Sequence, residues 1–285
     1  MSMGFPPFTY AIKWLVIINA AVYLLWLLLR AAMPALAGYV DLFLFLRPVL
    51  AVHGYIWQLV TYSFFHDGLF HILFNMLTLW MFGATLESEW GSRKFVELYF
   101  FGAVGAALST ITVTYLGIVP VFDFMATDPR IATVGASGAI YAVMVAFATL
   151  HGNQEFMMFP LPFTIRAKYL VAILVFISLV GTFQGFGAGS RGQSVAYIAH
   201  LGGAFFGWFY VRFVPRRGLG ISEHYFELRN SYYRWKRRRA GRKFEVYMRK
   251  HERSQYFDQY GNYRGPEEQN GREKGNGEHR GPWVQ

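Results

Sequence analysis

Six apolar runs, near residues 11–29, 69–86, 95–118, 137–151, 167–185 and 195–214, constrain the fold of this chain more than anything else in it. A hydrocarbon core about 30 Å thick is crossed by about 20 helical residues, and every run but the short fourth approaches that length. Within hydrocarbon each backbone N–H and C=O must be paired inside its own segment, so such runs are helices and not lone strands. The expectation is an all-α, polytopic membrane protein, a bundle of six transmembrane helices. With 54% hydrophobic and 15% charged residues, the composition excludes the disordered class and argues against an ordinary soluble domain.

The first run begins at about Tyr10, follows a nearly uncharged leader and continues past any small-residue cleavage site, so it reads as an uncleaved first span. The chain has no cysteine, which excludes disulfides, thiol nucleophiles and cysteine metal sites. Nearly all of the net charge of +10 lies beyond residue 211, with Trp235-Lys236-Arg237-Arg238-Arg239 at its centre. Three parts are expected: a six-span membrane domain over 1–215, a basic Tyr/Arg-rich segment over 216–260 and a disordered tail over 261–285.

Six spans put both termini on one side, and the positive-inside rule makes that side the cytoplasm. Arg93, Lys94, Arg166 and Lys168 fall on the same side, while Arg47, Arg130 and Arg191 fall outside. The location expected is a bacterial inner membrane with cytoplasmic termini. The basic segment reads as a solvated juxtamembrane stretch that fixes topology or, alternatively, as one drawn to anionic lipid headgroups. It carries no nucleic-acid motif, and no nucleic-acid partner is expected.

Two loops stand out. Residues 31–68 are too many for a hairpin and rich in Leu, Phe and Trp, which suggests a partly helical loop lying on the outer membrane face. Residues 185–194, with four glycines directly before the last span, are expected to form a mobile cap.

Polar groups inside spans are costly and mark sites of chemistry. Gly135-Ala136-Ser137-Gly138 opens the fourth run, and Ala199-His200-Leu201-Gly202-Gly203 lies in the sixth. A serine hydroxyl is a poor nucleophile until a neighbouring base takes its proton, so Ser137 needs a partner such as His200. Small residues recur at four-residue spacing in both runs: Gly138, Ala142 and Ala146 in one, Ala199, Gly203 and Gly207 in the other. Such faces let membrane helices approach closely, which would bring serine and histidine side by side. Tyr141, one turn after Ser137, could then stack on the imidazole. Taken alone, the same glycines would serve helix packing and the serine a helix cap.

In the second run His71 and Asn75 are four apart on one otherwise apolar face. With the Ser137 backbone N–H they supply donors suited to an oxyanion. As an isolated pair they read more readily as a structural hydrogen-bonding couple. His66, beside Asp67, lacks the His-Glu-x-x-His pattern of zinc proteases and is assigned to loop packing; no metal or cofactor is expected.

The ordered set of Trp57, His66, His71-x-x-x-Asn75, Gly83-x-x-x-Glu87-x-x-x-Gly91, Gly135-Ala136-Ser137-Gly138 with Tyr141, and Ala199-His200-x-x-Gly203-x-x-x-Gly207 resembles the rhomboid family of intramembrane serine proteases over roughly 55–215. The resemblance implies a six-helix core and a Ser137/His200 dyad with no acidic third member. It also implies an oxyanion site from His71, Asn75 and the Ser137 amide, within a water-filled cavity open to the outer face. The 185–194 loop would be its cap and the fifth span a lateral gate. Substrates in such a family are single-span membrane proteins cut near the outer boundary. The family's frequent Trp-Arg pair in the first loop is Trp57-Gln58 here, which alters the polar network expected of that loop. The alternative function is that of a catalytically inactive rhomboid-like protein that binds membrane clients. No signal bears on the oligomeric state.

Overall fold

Every apolar run becomes a helix in the computed structural model of the chain, which describes residues 6–117, 127–157, 163–187, 191–214, 229–240, 243 and 247. The elements in order are α1 (Tyr10–Ala32), α2 (Pro34–Leu44), α3 (Pro48–Val52), α4 (Gln58–Thr61), a 3-10 turn (Tyr62–Phe64), α5 (Leu69–Trp90), α6 (Ser92–Leu116), α7 (Ser137–His151), β1 (Glu155–Met157), β2 (Thr164–Arg166), α8 (Ala167–Gly187) and α9 (Arg191–Phe213). The chain divides into two compact units, Met1–Leu219 and Gly220–Gln285. In the second unit residues 229–240 are helical; the expected disordered tail, 261–285, lies outside the described residues.

Helices α1, α5, α6 and α8 are long and apolar enough to cross a membrane. Helix α7, with 15 residues, is shorter than a full span, and α9 has 23 residues. The large apolar side chains these helices leave uncovered, among them Leu25, Leu28, Phe74, Ile177 and Phe205, suit a surface whose solvent is hydrocarbon.

Helix α7 is the buried centre of the bundle: Gly138–Met144, Ala146 and Phe147 are all inaccessible, enclosed by α5, α6, α8 and α9. The small-residue faces meet as their spacing predicts. A Cβ built on Gly138 would touch the Ala199 carbonyl at 3.4 Å, one on Gly203 would overlap the Gly138 carbonyl, and one on Gly207 would come within 2.5 Å of the Ala142 Cα. With no Cβ in the way, α7 and α9 lie backbone to backbone.

The first loop is held by its own polar groups. Pro34 and Pro48 start α2 and α3 at the position where a missing N–H costs nothing. Gln58, fully buried, accepts from the Arg47 N–H at 3.0 Å and donates to the Leu42 carbonyl at 3.0 Å, while Trp57 Nε1 donates to the Phe43 carbonyl at 2.7 Å. The altered Trp-Gln pair therefore leaves neither side chain unsatisfied.

Two local features differ from the sequence expectation. Strands β1 and β2 form an antiparallel pair, with Phe156 opposite Ile165, the only strands among the described residues. The cap region is mostly helical backbone: α8 runs to Gly187 and α9 starts at Arg191, and residues 188–190 lie outside the described residues. Glycine lowers helix propensity by only about 1 kcal/mol per residue, which the flanking apolar turns overcome here.

Candidate active site

The site forms where α7 begins. Gly135 adopts φ +126°, a conformation L side chains rarely take, and a Cβ there would also lie 2.9 Å from His71 Nε2. Only glycine fits both the backbone and the close approach. The turn is pinned from the first loop: the Gly135 N–H donates to the Tyr62 carbonyl at 3.1 Å, and the Tyr62 hydroxyl donates to the Ala103 carbonyl of α6 at 2.8 Å. The Ala136 N–H points at His66 Nε2, 3.5 Å away. Ser137 is then the first residue of α7, where backbone N–H groups have no acceptor within the helix and the helix dipole favours negative charge.

Helix α9 supplies the candidate base. His200 Nε2 lies 2.8 Å from Ser137 Oγ, both half-buried. The Tyr141 ring stacks on the imidazole with centroids 4.4 Å apart and 7° between planes, and Tyr197 meets the ring edge-on at 6.0 Å. The imidazole is thus fixed in plane by two aromatic rings and a hydrogen bond. With Nε2 facing the serine, it can accept the hydroxyl proton when the other ring nitrogen carries the imidazole hydrogen.

On α5, His71 faces Gly135, and its ring meets that of His66 at 5.0 Å and 73°. Asn75 lies one turn further along α5, buried, its Nδ2 without a partner. An unpaired buried donor is what an oxyanion pocket requires before substrate arrives. Of the residues singled out from sequence, His200 contacts both Ser137 and Tyr141, Gly135 lies against His71, and Asn75 is a buried donor without a partner.

Three contributions were not anticipated. His66 does more than pack the loop, because it touches both the Ala136 amide and His71. Burial first, and then the neighbouring His71, push its pKa down to about 4, which keeps the ring neutral and Nε2 free to accept. Glu87 ends α5 and caps α1, accepting from the Ala11 N–H at 2.7 Å, the Ile12 N–H at 3.0 Å, and the Thr9 and Ser92 hydroxyls. Ser178 of α8 places its hydroxyl 2.8 Å from Tyr141 Oη and 3.4 Å from His200 Nδ1. No sequence signal marks it: it is a lone hydroxyl between Ile177 and Leu179 in an apolar run.

Comparison with known proteins agrees with this architecture. A model of the rhomboid domain matches residues 53–217. The chain is 26% identical over 218 residues to the mitochondrial rhomboid protein 1 of Saccharomyces cerevisiae, covering 74% of this chain and 57% of that protein. It is 24% identical to rhomboid-like protein 19 of Arabidopsis thaliana, covering 75% and 64% respectively. Similarity to the human mitochondrial presenilin-associated rhomboid-like protein is 30% over 153 residues, 53% of this chain and 36% of that one. The match thus spans less than two thirds of each relative's length. These relatives are eukaryotic, two of them mitochondrial by name, so the expectation of a bacterial inner membrane has no support from them. With the family model covering more than half of its length, and membrane-spanning helices throughout that region, the chain is an integral membrane protein that belongs to the rhomboid family.

Proposed function

We propose that this protein is an intramembrane serine endopeptidase that cuts transmembrane segments of single-span membrane proteins. The observation that carries this reading is the 2.8 Å contact between Ser137 Oγ and His200 Nε2, with Tyr141 stacked on the imidazole. In the reaction, Oγ attacks the scissile carbonyl carbon as its proton passes to Nε2. The oxyanion takes hydrogen bonds from the Ser137 N–H, His71 and Asn75. The imidazolium then gives its proton to the departing amine nitrogen. Water enters, loses a proton to the same Nε2 and attacks the acyl carbon. Collapse of the second tetrahedral intermediate releases the new carboxyl end and returns the proton to Ser137 Oγ.

The arrangement of apolar exterior and half-buried dyad suits a substrate that arrives through lipid and water that arrives from an aqueous face. Both termini are assigned to the cytoplasmic side on the charge pattern, and the dyad to the opposite half of the membrane.

Labelling of detergent-solubilised protein by a fluorophosphonate, alongside cleavage of a model transmembrane substrate, tests the reading. The wild type should be labelled and should cleave; Ser137→Ala should do neither. A folded wild type that does neither leaves the inactive client-binding role in its place.

A further inference from the structure

The Ser178 hydroxyl meets three groups, one on each of α7, α8 and α9. It is 99% buried, 3.4 Å from His200 Nδ1, 2.8 Å from Tyr141 Oη and 3.0 Å from the Leu174 carbonyl one turn back on its own helix. A serine hydroxyl has one proton and two acceptor sites. With a basic Nε2, Nδ1 carries the imidazole hydrogen and Ser178 Oγ accepts it. The Ser178 proton then goes to the Leu174 carbonyl at 3.0 Å, and the Tyr141 O–H is shared between Ser178 Oγ at 2.8 Å and the same carbonyl at 3.3 Å.

That arrangement has a consequence at the other ring nitrogen. If Nδ1 donates to Ser178, Nε2 is the unprotonated atom and faces Ser137 Oγ at 2.8 Å. The opposite tautomer would place a hydrogen between Nε2 and the serine, and Ser178 could meet the bare Nδ1 only by turning its proton away from the Leu174 carbonyl. We infer that Ser178 is a positioning residue: its hydroxyl, anchored on Leu174, selects the His200 tautomer that can act as general base, in the place an acidic third member holds in soluble serine proteases. The inference rests on the protease reading above.

Ser178 also ties the base to α8. The Thr182 hydroxyl bonds back to the Ser178 carbonyl at 2.8 Å, so two successive turns of α8 carry back-bonded hydroxyls, a pattern that bends helices. Displacement of α8 from α9 would withdraw the Nδ1 acceptor, so the base is set only when α8 is seated.

The test uses the full-length protein in detergent and reads fluorophosphonate labelling rate, kcat and KM on a model transmembrane substrate, and Tm. Ser178→Ala should slow labelling and lower kcat about tenfold, the rate equivalent of one neutral hydrogen bond, with KM unchanged. Ser178→Thr, which keeps the hydroxyl, should restore most of the rate. Ser178→Cys, similar in volume but a weak acceptor, gives the second reading if the alanine variant folds poorly, and should be slow like it. A role confined to α8–α9 packing would lower Tm or raise KM and leave the small probe's rate untouched; that result overturns the inference. Equal labelling of wild type and Ser178→Ala overturns it while the protease reading stands. An unlabelled, folded wild type removes the protease reading and the role of Ser178 with it.

Discussion

Gly203 of α9 rests directly on the carbonyl of Gly138 in α7, so closely that a methyl group at 203 would overlap that oxygen. Ser137 precedes Gly138, and His200 lies one turn before Gly203, so this contact sets the spacing of the dyad. A Cβ here meets backbone, which cannot rotate aside. Gly203→Ala and Gly207→Val should both force the helices apart, and a shift of about 1 Å costs roughly a hundredfold in rate. Tm should fall too, since membrane helices associate by close packing. Gly68→Ala, at a position with open space and extended φ, is the matched control and should leave both unchanged. Wild-type activity and Tm in Gly207→Val would refute the link between helix spacing and the dyad.

The dyad itself makes a prediction about additivity. Ser137→Ala and His200→Ala should each abolish cleavage of a model transmembrane substrate. The double variant should be hardly worse than either single one, because nucleophile and base act as a unit. Neither change should unfold the protein, because both side chains are half-buried at the site and not in the packed centre of α7. Purified Ser137→Ala that still cuts at the same bond would rule out the serine mechanism.

For His71 and Asn75 the expected loss is on the order of 10² to 10³ in kcat, the usual effect of removing one oxyanion donor. Asn75 allows a sharper statement. Its Nδ2 is buried and unpaired. Deleting it removes a desolvation penalty, so Asn75→Ala should lose turnover while holding or raising Tm. A fall in both quantities would return Asn75 to a structural role.

What was legible in the sequence was whatever repeats along one helix. The four-residue stripes of α7 and α9 announce their own contact, and Tyr141 follows Ser137 along its helix, so the approach of His200 to Ser137 and the ring stacked on the imidazole could be read directly. Ser178 could not, because its role depends on which turn of α8 reaches His200, and nothing in its apolar surroundings encodes that. Glu87 lies at the expected end of α5, but that its carboxylate closes the start of α1 is a contact across 76 residues with no local pattern. The β1–β2 ribbon is missed for a different reason: three residues per strand are too few to show a period of two.

Glu87 should prove a stability residue. Its carboxylate satisfies the Ala11 and Ile12 N–H groups, which have no acceptor within α1. Glu87→Ala leaves two buried donors unpaired and should destabilise on the order of 3 kcal/mol. Glu87→Gln, with one acceptor oxygen in place of two, should fall between it and the wild type. The kcat of the remaining folded fraction should be unaffected, since Glu87 lies at the far end of α5 from His71. A normal Tm in Glu87→Ala would remove the capping role.

His66 carries the pH prediction. Its pKa is lowered from 6.5 to about 4 in the folded protein, chiefly by burial. The neutral ring is therefore favoured in the folded state. For a base whose folded pKa lies below its unfolded value, stability is full above the unfolded pKa and declines as pH falls toward the folded one. Between pH 6.5 and 4 the folded state should lose on the order of 3 kcal/mol through this group alone. The loss has a local site, because protonated His66 no longer accepts from the Ala136 N–H that holds the turn before Ser137. Activity should accordingly fall along with stability as the turn loosens. His66→Gln keeps an acceptor oxygen and cannot take up a proton in this range. Its Tm, followed by thermal shift in detergent, should show a flatter dependence on pH than the wild type. Parallel pH profiles for the two proteins would assign the acid sensitivity to other groups and leave His66 with packing alone.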